Sequence, residues 1–405
     1  MIKIRVGDIQ LGPEEKKELQ DVIDTSRLSE GPKTAIFEKL WAEFIGTKHC
    51  IAVNSGTSAL IAGLYALLYD TRFPKFKKGA KVITTPLTYV ATSNAIVLAG
   101  LEPVYVDVDP RTFALNIQQV EDLLKSSDPD EYCAILPVHL MGYMNDMPAI
   151  CSIAKKYDLV VFEDAAQAHG SILEGKKAGT WGLLADYSFY IAHNVQAGEM
   201  GAVVTSDDRL RELVVQVKAN GRFCKCRTCT RSKGYCPHHD DDFEPRFTHE
   251  FIGFNFKISE FQSAIAIPQV KRIGQIIADR QHNVKHLNEL LDSFKTRLDL
   301  PMYSPDISYL AYPLIIKDPS INRHKLMLDL EKAGIETRTL FGCIPTQQPS
   351  YSGYKSRYNG RLPNAEYVGT HGIYIGCHQY LKQDDIEYIA ATISKILITN
   401  SLRGA

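Results

Sequence analysis

Between about residue 35 and residue 215, short apolar runs alternate with segments of helical periodicity, and that alternation admits few architectures. The runs cover 49–53, 81–84, 104–108, 134–138, 159–162 and 202–205. Between several of them lie stretches such as 58–68, whose apolar residues recur at helical spacing. Strands rich in Val and Ile and separated by helices predict an α/β domain on a mostly parallel sheet, since parallel strands need a crossover. Ligands in such sheets lie beyond the C-terminal ends of the strands.

The alternation stops at residues 222–245. This stretch is polar, cysteine-rich and basic, and closes on Asp240-Asp241-Asp242. It reads as a loop inserted into a large domain spanning 1–270. A long helical stretch over 259–294 leads into a smaller α+β domain, 271–405. There the pattern predicts a strand near 310–316, a helix near 322–333, a strand near 335–340 and a closing helix over 383–398.

Composition narrows the function classes. Hydrophobic residues make up 45% and charged residues 23% of the 405, so the chain can bury a large core and is far from a disordered balance. A formal net charge of −1 gives no basis for binding nucleic acid or an anionic membrane. The longest uncharged stretch, 82–101, carries Pro86, Ser93 and Asn94 and is a poor membrane span. The opening Met1-Ile2-Lys3-Ile4-Arg5 lacks the apolar centre of a secretory signal. The expectation is a cytoplasmic protein, whose nine cysteines are then not structural disulfides.

Three segments have the chemistry of a binding site. The first run ends in Asn54-Ser55-Gly56-Thr57-Ser58, where a helix begins. Its N–H groups, hydroxyls and dipole suit a phosphate; equally, Ser55 suits a plain N-cap. The run at 159–162 ends in Glu163-Asp164-Ala165-Ala166-Gln167-Ala168-His169-Gly170, so consecutive acids stand either in a site or on a solvated loop. The third segment is Asp186-Tyr187-Ser188-Phe189-Tyr190-Ile191-Ala192-His193-Asn194, followed by Gly198-Glu199-Met200-Gly201.

Taken with Ser29-Glu30-Gly31-Pro32, Thr88-Tyr89-Val90-Ala91-Thr92, Pro137-Val138-His139-Leu140, Gly253-Phe254-Asn255-Phe256-Lys257 and Arg338, these segments resemble the DegT/DnrJ/EryC/StrS family of sugar aminotransferases and dehydratases over nearly the whole chain. The resemblance implies a fold-type I PLP-dependent transferase, with PLP or PMP as cofactor. It also implies a homodimer that builds its sites across two subunits. On that reading Asp164 pairs with the pyridinium nitrogen and keeps it protonated. Tyr89 stacks on the ring. Ser55, Gly56, Thr57 and Ser188 hold the phosphate, and Gln167 contacts the ring hydroxyl. Asn255 reaches the phosphate of the neighbouring subunit, and Arg338 serves the substrate.

Position 193 departs from the aminotransferase pattern. Aminotransferases of the family place there the lysine that bonds the cofactor aldehyde; here Ala192-His193-Asn194 stands. Imidazole forms no stable imine, so the cofactor would be held without a covalent bond, while His193 can move protons near neutral pH. The exchange resembles the 3-dehydratase branch of the family, the GDP-4-keto-6-deoxymannose 3-dehydratases and the iron–sulfur CDP-4-keto-6-deoxyglucose 3-dehydrases. The implied reaction removes the C3 hydroxyl of a nucleotide-linked 4-keto sugar, with His193 as acid/base. The alternatives are a sugar aminotransferase whose lysine lies elsewhere and a catalytically silent cofactor- or zinc-binding protein.

Cys224, Cys226, Cys229 and Cys236 follow the spacing C-x-C-x2-C-x6-C. Four thiolates on one loop suit an iron–sulfur cluster or a tetrahedral zinc; left free they would invite oxidation. The iron–sulfur dehydrases carry cysteines just before the same Gly-x-Asn segment, which favours a cluster and, with it, reductive deoxygenation fed by a reductase. They also draw one ligand from two residues beyond the pyridinium-binding aspartate, where this chain has Ala166. The ligand set must therefore differ, and the cluster type does not carry over. Arg222, Lys225, Arg227, Arg231 and Lys233 surround the cysteines. They offer a docking face for an acidic electron donor, a grip on a nucleotide diphosphate, or plain solubilising surface.

Overall fold

In a computed structural model, which describes residues 2–224, 226 and 244–402, the apolar runs align in a seven-stranded sheet. Its first strands are β1 (His49–Val53), β2 (Lys81–Thr84), β3 (Glu102–Tyr105), β4 (Tyr132–Leu136) and β5 (Val160–Asp164). A short hairpin, β6 (Ile172–Leu173) and β7 (Lys176–Lys177), precedes β8 (Leu184–Ser188) and β9 (Gly201–Thr205). The order across the sheet is β1-β9-β8-β5-β4-β2-β3. Only β9 runs against the rest, pairing antiparallel with β1 and β8, so the sheet is mostly parallel as expected.

Helices α1 (Pro13–Thr25), α2 (Pro32–Ile45), α3 (Gly56–Tyr69) and α4 (Ala91–Leu98) come from the first quarter of the chain. α3 is apolar almost all round because it is buried nearly throughout its length. On the other face Phe37 and Trp41 of α2 pack edge-on against Phe189, and Trp41 also meets Tyr187. The sheet is thus covered on both sides, which is what continuous apolar strands require.

Three local differences from the sequence pattern have physical causes. The third strand ends at Tyr105 rather than 108, because Asp107 turns away to cap another element. Its carboxylate accepts from the N–H groups of Asn364 at 3.0 Å and Ala365 at 2.9 Å, at the start of helix Pro363–His371. β8 escapes an apolar-run search because Asp186 stands at its centre. The helical stretch over 259–294 divides into Glu260–Lys271 and Ile273–Leu290. Pro268 removes a backbone donor from the last turns of the first, and Arg272 leaves helical geometry.

A second, antiparallel sheet follows: β10 (Leu298–Asp299), β11 (Tyr312–Ile316), β12 (Arg338–Thr339) and β13 (Gly372–Ile375), ordered β10-β11-β13-β12. The expected strands near 310–316 and 335–340 are β11 and β12. The expected helices are Arg323–Lys332 and Gln383–Leu402. β10 and β13 were not anticipated. The N-terminal segment joins this region, with Ile4 bridging Ile335. No helix among the described residues is long and apolar enough to cross a membrane.

Candidate active site

The site forms where β1, β5 and β8 end. Behind β1, Ser55 caps α3: its Oγ accepts from Ser58 N–H at 3.1 Å and meets Ser58 Oγ at 3.0 Å. The N-cap reading of Ser55 is therefore realised. The helix's first N–H groups, on Gly56 and Thr57, lack intrahelical acceptors and remain for an anion. A Cβ on Gly56 would fall 2.7 Å from Ser188 Cβ, and one on Gly201 would fall 2.2 Å from the Ser55 carbonyl oxygen. Glycine at both positions lets β8 and β9 close around the helix start, with Ser188 beside it.

At the end of β5, the consecutive acids part company because strand neighbours face opposite ways. Asp164 is buried; its Oδ2 accepts from Thr92 Oγ1 at 2.7 Å and its Oδ1 from Ala166 N–H at 3.3 Å. Burial pushes its pKa up. A carboxylate so enclosed is stabilised by a cationic partner. Glu163 serves the scaffold. It accepts from the N–H groups of Gly179 (2.8 Å), Trp181 (2.8 Å) and Gly182 (2.6 Å) and pairs with His139 Nε2 at 3.0 Å. Neither acid lies on a solvated loop. Gln167 is held by Met141 N–H donating to its Oε1 at 2.9 Å, while Tyr89 is 60% exposed, its ring 6.0 Å from that of Phe341.

After β8 the chain turns at His193, which is 8% exposed. His193 Nδ1 lies 3.3 Å from the Tyr190 carbonyl, which fixes the hydrogen on Nδ1 and leaves the Nε2 lone pair free. Nε2 makes no hydrogen bond among the described residues. Burial pushes the imidazole pKa down to about 4, and the Arg280 charge acts in the same direction against the Tyr190 carbonyl. The wholly buried Arg280 donates to the carbonyls of His193 (3.2 Å), Leu310 (2.6 Å) and Tyr309 (3.3 Å) and to Gln379 Oε1 (3.0 Å). Asn194 Nδ2 donates to Ser308 Oγ at 2.9 Å. His169 stacks on His193 at 5.8 Å, donates from Nε2 to the Ser188 carbonyl at 2.9 Å and accepts from Val195 N–H at 3.3 Å. His169 thus joins Ser188 to the His193 turn.

The other predicted residues are less closely joined. Arg338 on β12 pairs with Glu336 at 3.1 Å and neighbours Tyr374. Tyr374 leads through Phe341, 6.3 Å away, to Tyr89. Asn255 is exposed, its backbone bridging Ala219. Cys224 and Cys226 line a cavity of about 260 Å³ with Lys218, Arg222, Arg246 and Lys257. Cys229, Cys236, Lys225, Arg227, Arg231 and Lys233 lie outside the described residues. Among the described residues no three His, Cys, Asp or Glu side chains gather into a metal site. Sequence reasoning missed Thr92, His169 and Arg280. The first two stand inside segments already singled out; Arg280 carries no local signal.

A buried acid wanting a cation, a helix start wanting an anion and an exposed aromatic ring fit the pyridinium, phosphate and ring face of PLP. The model of the DegT/DnrJ/EryC1/StrS aminotransferase family matches residues 10–394. The chain belongs to this family. It is 30% identical over 400 residues to the GDP-4-keto-6-deoxy-D-mannose 3-dehydratase of Yersinia pseudotuberculosis, covering 98% of this chain and 99% of that protein. Identity to the GDP-perosamine synthase of Caulobacter vibrioides is also 30%, with 98% and 99% covered. The solved structure of an E. coli GDP-4-keto-6-deoxy-D-mannose-3-dehydratase with bound hydrated PLP matches with a TM-score of 0.84 at 26% identity. That match covers 97% of this chain and 100% of the other. The architecture is that of fold-type I PLP-dependent enzymes, and the family's members modify sugars.

Proposed function

We propose that the chain is a PLP/PMP-dependent dehydratase that removes the C3 hydroxyl from a nucleotide-linked 4-keto sugar. Overall identity does not choose between the reactions named for its relatives, since a 3-dehydratase and a perosamine synthase are equally similar. The observation that carries the choice is at position 193. A buried, neutral imidazole with Nε2 free stands where the resemblance places the aminotransferase lysine.

Bound PLP or PMP supplies an electron sink for the reacting carbon. Asp164 holds a proton at the pyridine nitrogen, with Thr92 fixing one of its oxygens. The N–H groups of Gly56 and Thr57 grip the phosphate together with Ser188. Tyr89 covers the ring face, and Gln167 orients its hydroxyl. His193 Nε2 would take the proton whose loss lets the C3 hydroxyl depart and would return it to that oxygen, which leaves as water. Arg338 takes the substrate's anionic part. In a homodimer, the exposed Asn255 serves the phosphate of the neighbouring site.

Cys224, Cys226, Cys229 and Cys236 would hold an iron–sulfur cluster, whose chemistry is one-electron transfer from a reductase. Sulfur donors suit it, and the cavity beside Cys224 and Cys226, where Arg27, Lys218, Arg222, Arg246 and Lys257 outnumber Glu30 and Glu38, suits an acidic donor protein. Iron and zinc analysis of anaerobically purified protein tests this part. Colourless, zinc-loaded protein would leave dehydration without reduction.

The reaction is tested by supplying GDP- and CDP-linked 4-keto-6-deoxy sugars with PMP and L-glutamate and following C3 and C4 by NMR. Loss of the C3 oxygen is expected. Amination at C4 with C3 intact would assign the chain to the aminotransferases instead.

A further inference from the structure

Asp164 and Asp186 stand beside each other in the register of the parallel strands β5 and β8. In-register residues of neighbouring strands present their side chains to the same face. Phe162 and Leu184, two positions earlier on each strand, belong to one core cluster with α3 and mark that face. Asp186 is 0% exposed, and neither of its carboxyl oxygens has a hydrogen-bond partner, whereas Asp164 has two donors.

A buried carboxyl without a donor is strongly destabilised as an anion. Burial, and then the charge of Asp164, push the Asp186 pKa well above the ordinary carboxylate range. Among the described residues, the surrounding elements supply no cation to offset this. Across β9 its partner is Val203, and Tyr187 follows it on its own strand. The buried residues of α3, from Gly56 to Leu67, are uncharged, and Thr92 on α4 is neutral. The nearby imidazole of His139 acts on Asp164.

We infer that Asp186 is a positioning residue that works through Asp164: the pair carries one negative charge, and Asp186 sets how firmly Asp164 holds the pyridine-nitrogen proton. The inference rests on the reading of Asp164 given above. The proton of the pair sits on Asp186, which has no donor, and the charge resides on Asp164, where Thr92 and the Ala166 N–H donate to it. Raising the pH until Asp186 ionises changes that balance. A second anion then stands beside the first, and the pyridinium proton is retained to higher pH than one carboxylate alone would allow.

The test uses holoprotein carrying cofactor isotope-labelled at the ring nitrogen, with the nitrogen NMR shift followed against pH. In wild type and Asp186→Asn the nitrogen should be protonated at neutral pH. On raising the pH, Asp186→Asn should lose that proton about one pH unit or more before wild type. Superimposed titrations overturn the role of Asp186 and leave that of Asp164 standing. A nitrogen already unprotonated in wild type at neutral pH overturns the reading of Asp164 instead. Infrared spectra of wild type supply a second measure that needs no variant. A buried protonated-carboxyl band should be present at neutral pH and fade at alkaline pH; its absence at neutral pH overturns the proposal.

Discussion

The guanidinium of Arg280 donates to the main-chain carbonyl of His193 at 3.2 Å. Its other hydrogen-bond acceptors, on Tyr309, Leu310 and Gln379, are neutral as well. A buried cation satisfied by neutral acceptors holds a turn in place and keeps its field, because none of those acceptors cancels its charge. The imidazole on that turn is thereby biased toward the neutral form that a base requires.

In the apoprotein, His193 should titrate near pH 4, and Arg280→Met should raise that value by about one unit. Histidine NMR titration, with the resonance assigned by its loss in His193→Asn, reads both. An ordinary titration near pH 6.5 in wild type would remove the argument for a neutral, enclosed base.

Acid sensitivity follows from the same burial. His193 and His378 are both pushed down to about 4 by burial, while an unfolded histidine titrates near 6.5. Between those values the unfolded chain binds protons that the folded chain refuses. Their contribution is therefore complete above about pH 6.5 and is lost as pH falls toward 4. Asp164 and Asp186, raised by burial, act in the opposite sense, so the measurement is differential. The stability of wild type relative to His378→Gln, from urea unfolding, should fall by about 2 kcal/mol between pH 7 and pH 4.5. A pH-independent difference would contradict the shift.

His193→Lys should convert a non-covalent site into one where borohydride fixes the cofactor to the protein, with dehydration suppressed. Mass spectrometry of the labelled peptide checks it. Labelling of a lysine in the wild-type protein would show that position 193 is not where the cofactor carbon lies.

Asp164→Asn should lower turnover about a hundredfold or more while leaving the melting temperature nearly unchanged, since the amide still fits beside Thr92. Thr92→Val removes one donor to the same carboxylate and should cost about tenfold, with Thr92→Ser recovering most of it. Equal activities for the Val and Ser variants would reduce Thr92 to a packing residue.

Much of this site was legible in the chain because its parts stand at strand ends and helix starts, where spacing predicts position. Ser55, Gly56, Asp164 and Ser188 are of that kind. The division of labour between Glu163 and Asp164 was not, because one register step decides which acid faces the turn at 179–182, between the hairpin and β8, and which faces Thr92. β8 was hidden by Asp186, the residue that gives the strand its chemical interest. Arg280 was out of reach for another reason. It comes from a helix far along the chain, and apart from Gln379 its partners are main-chain carbonyls, which carry no residue-type signal.

Asn194 and the His193 carbonyl are held by Ser308, Tyr309 and Arg280. During synthesis the strands that carry Asp164 and Ser188 leave the ribosome well before these supports exist. Until they do, the turn at His193 has none of these anchors. The turn at 193–194 is therefore fixed in place only once the stretch around 280–310 has been made.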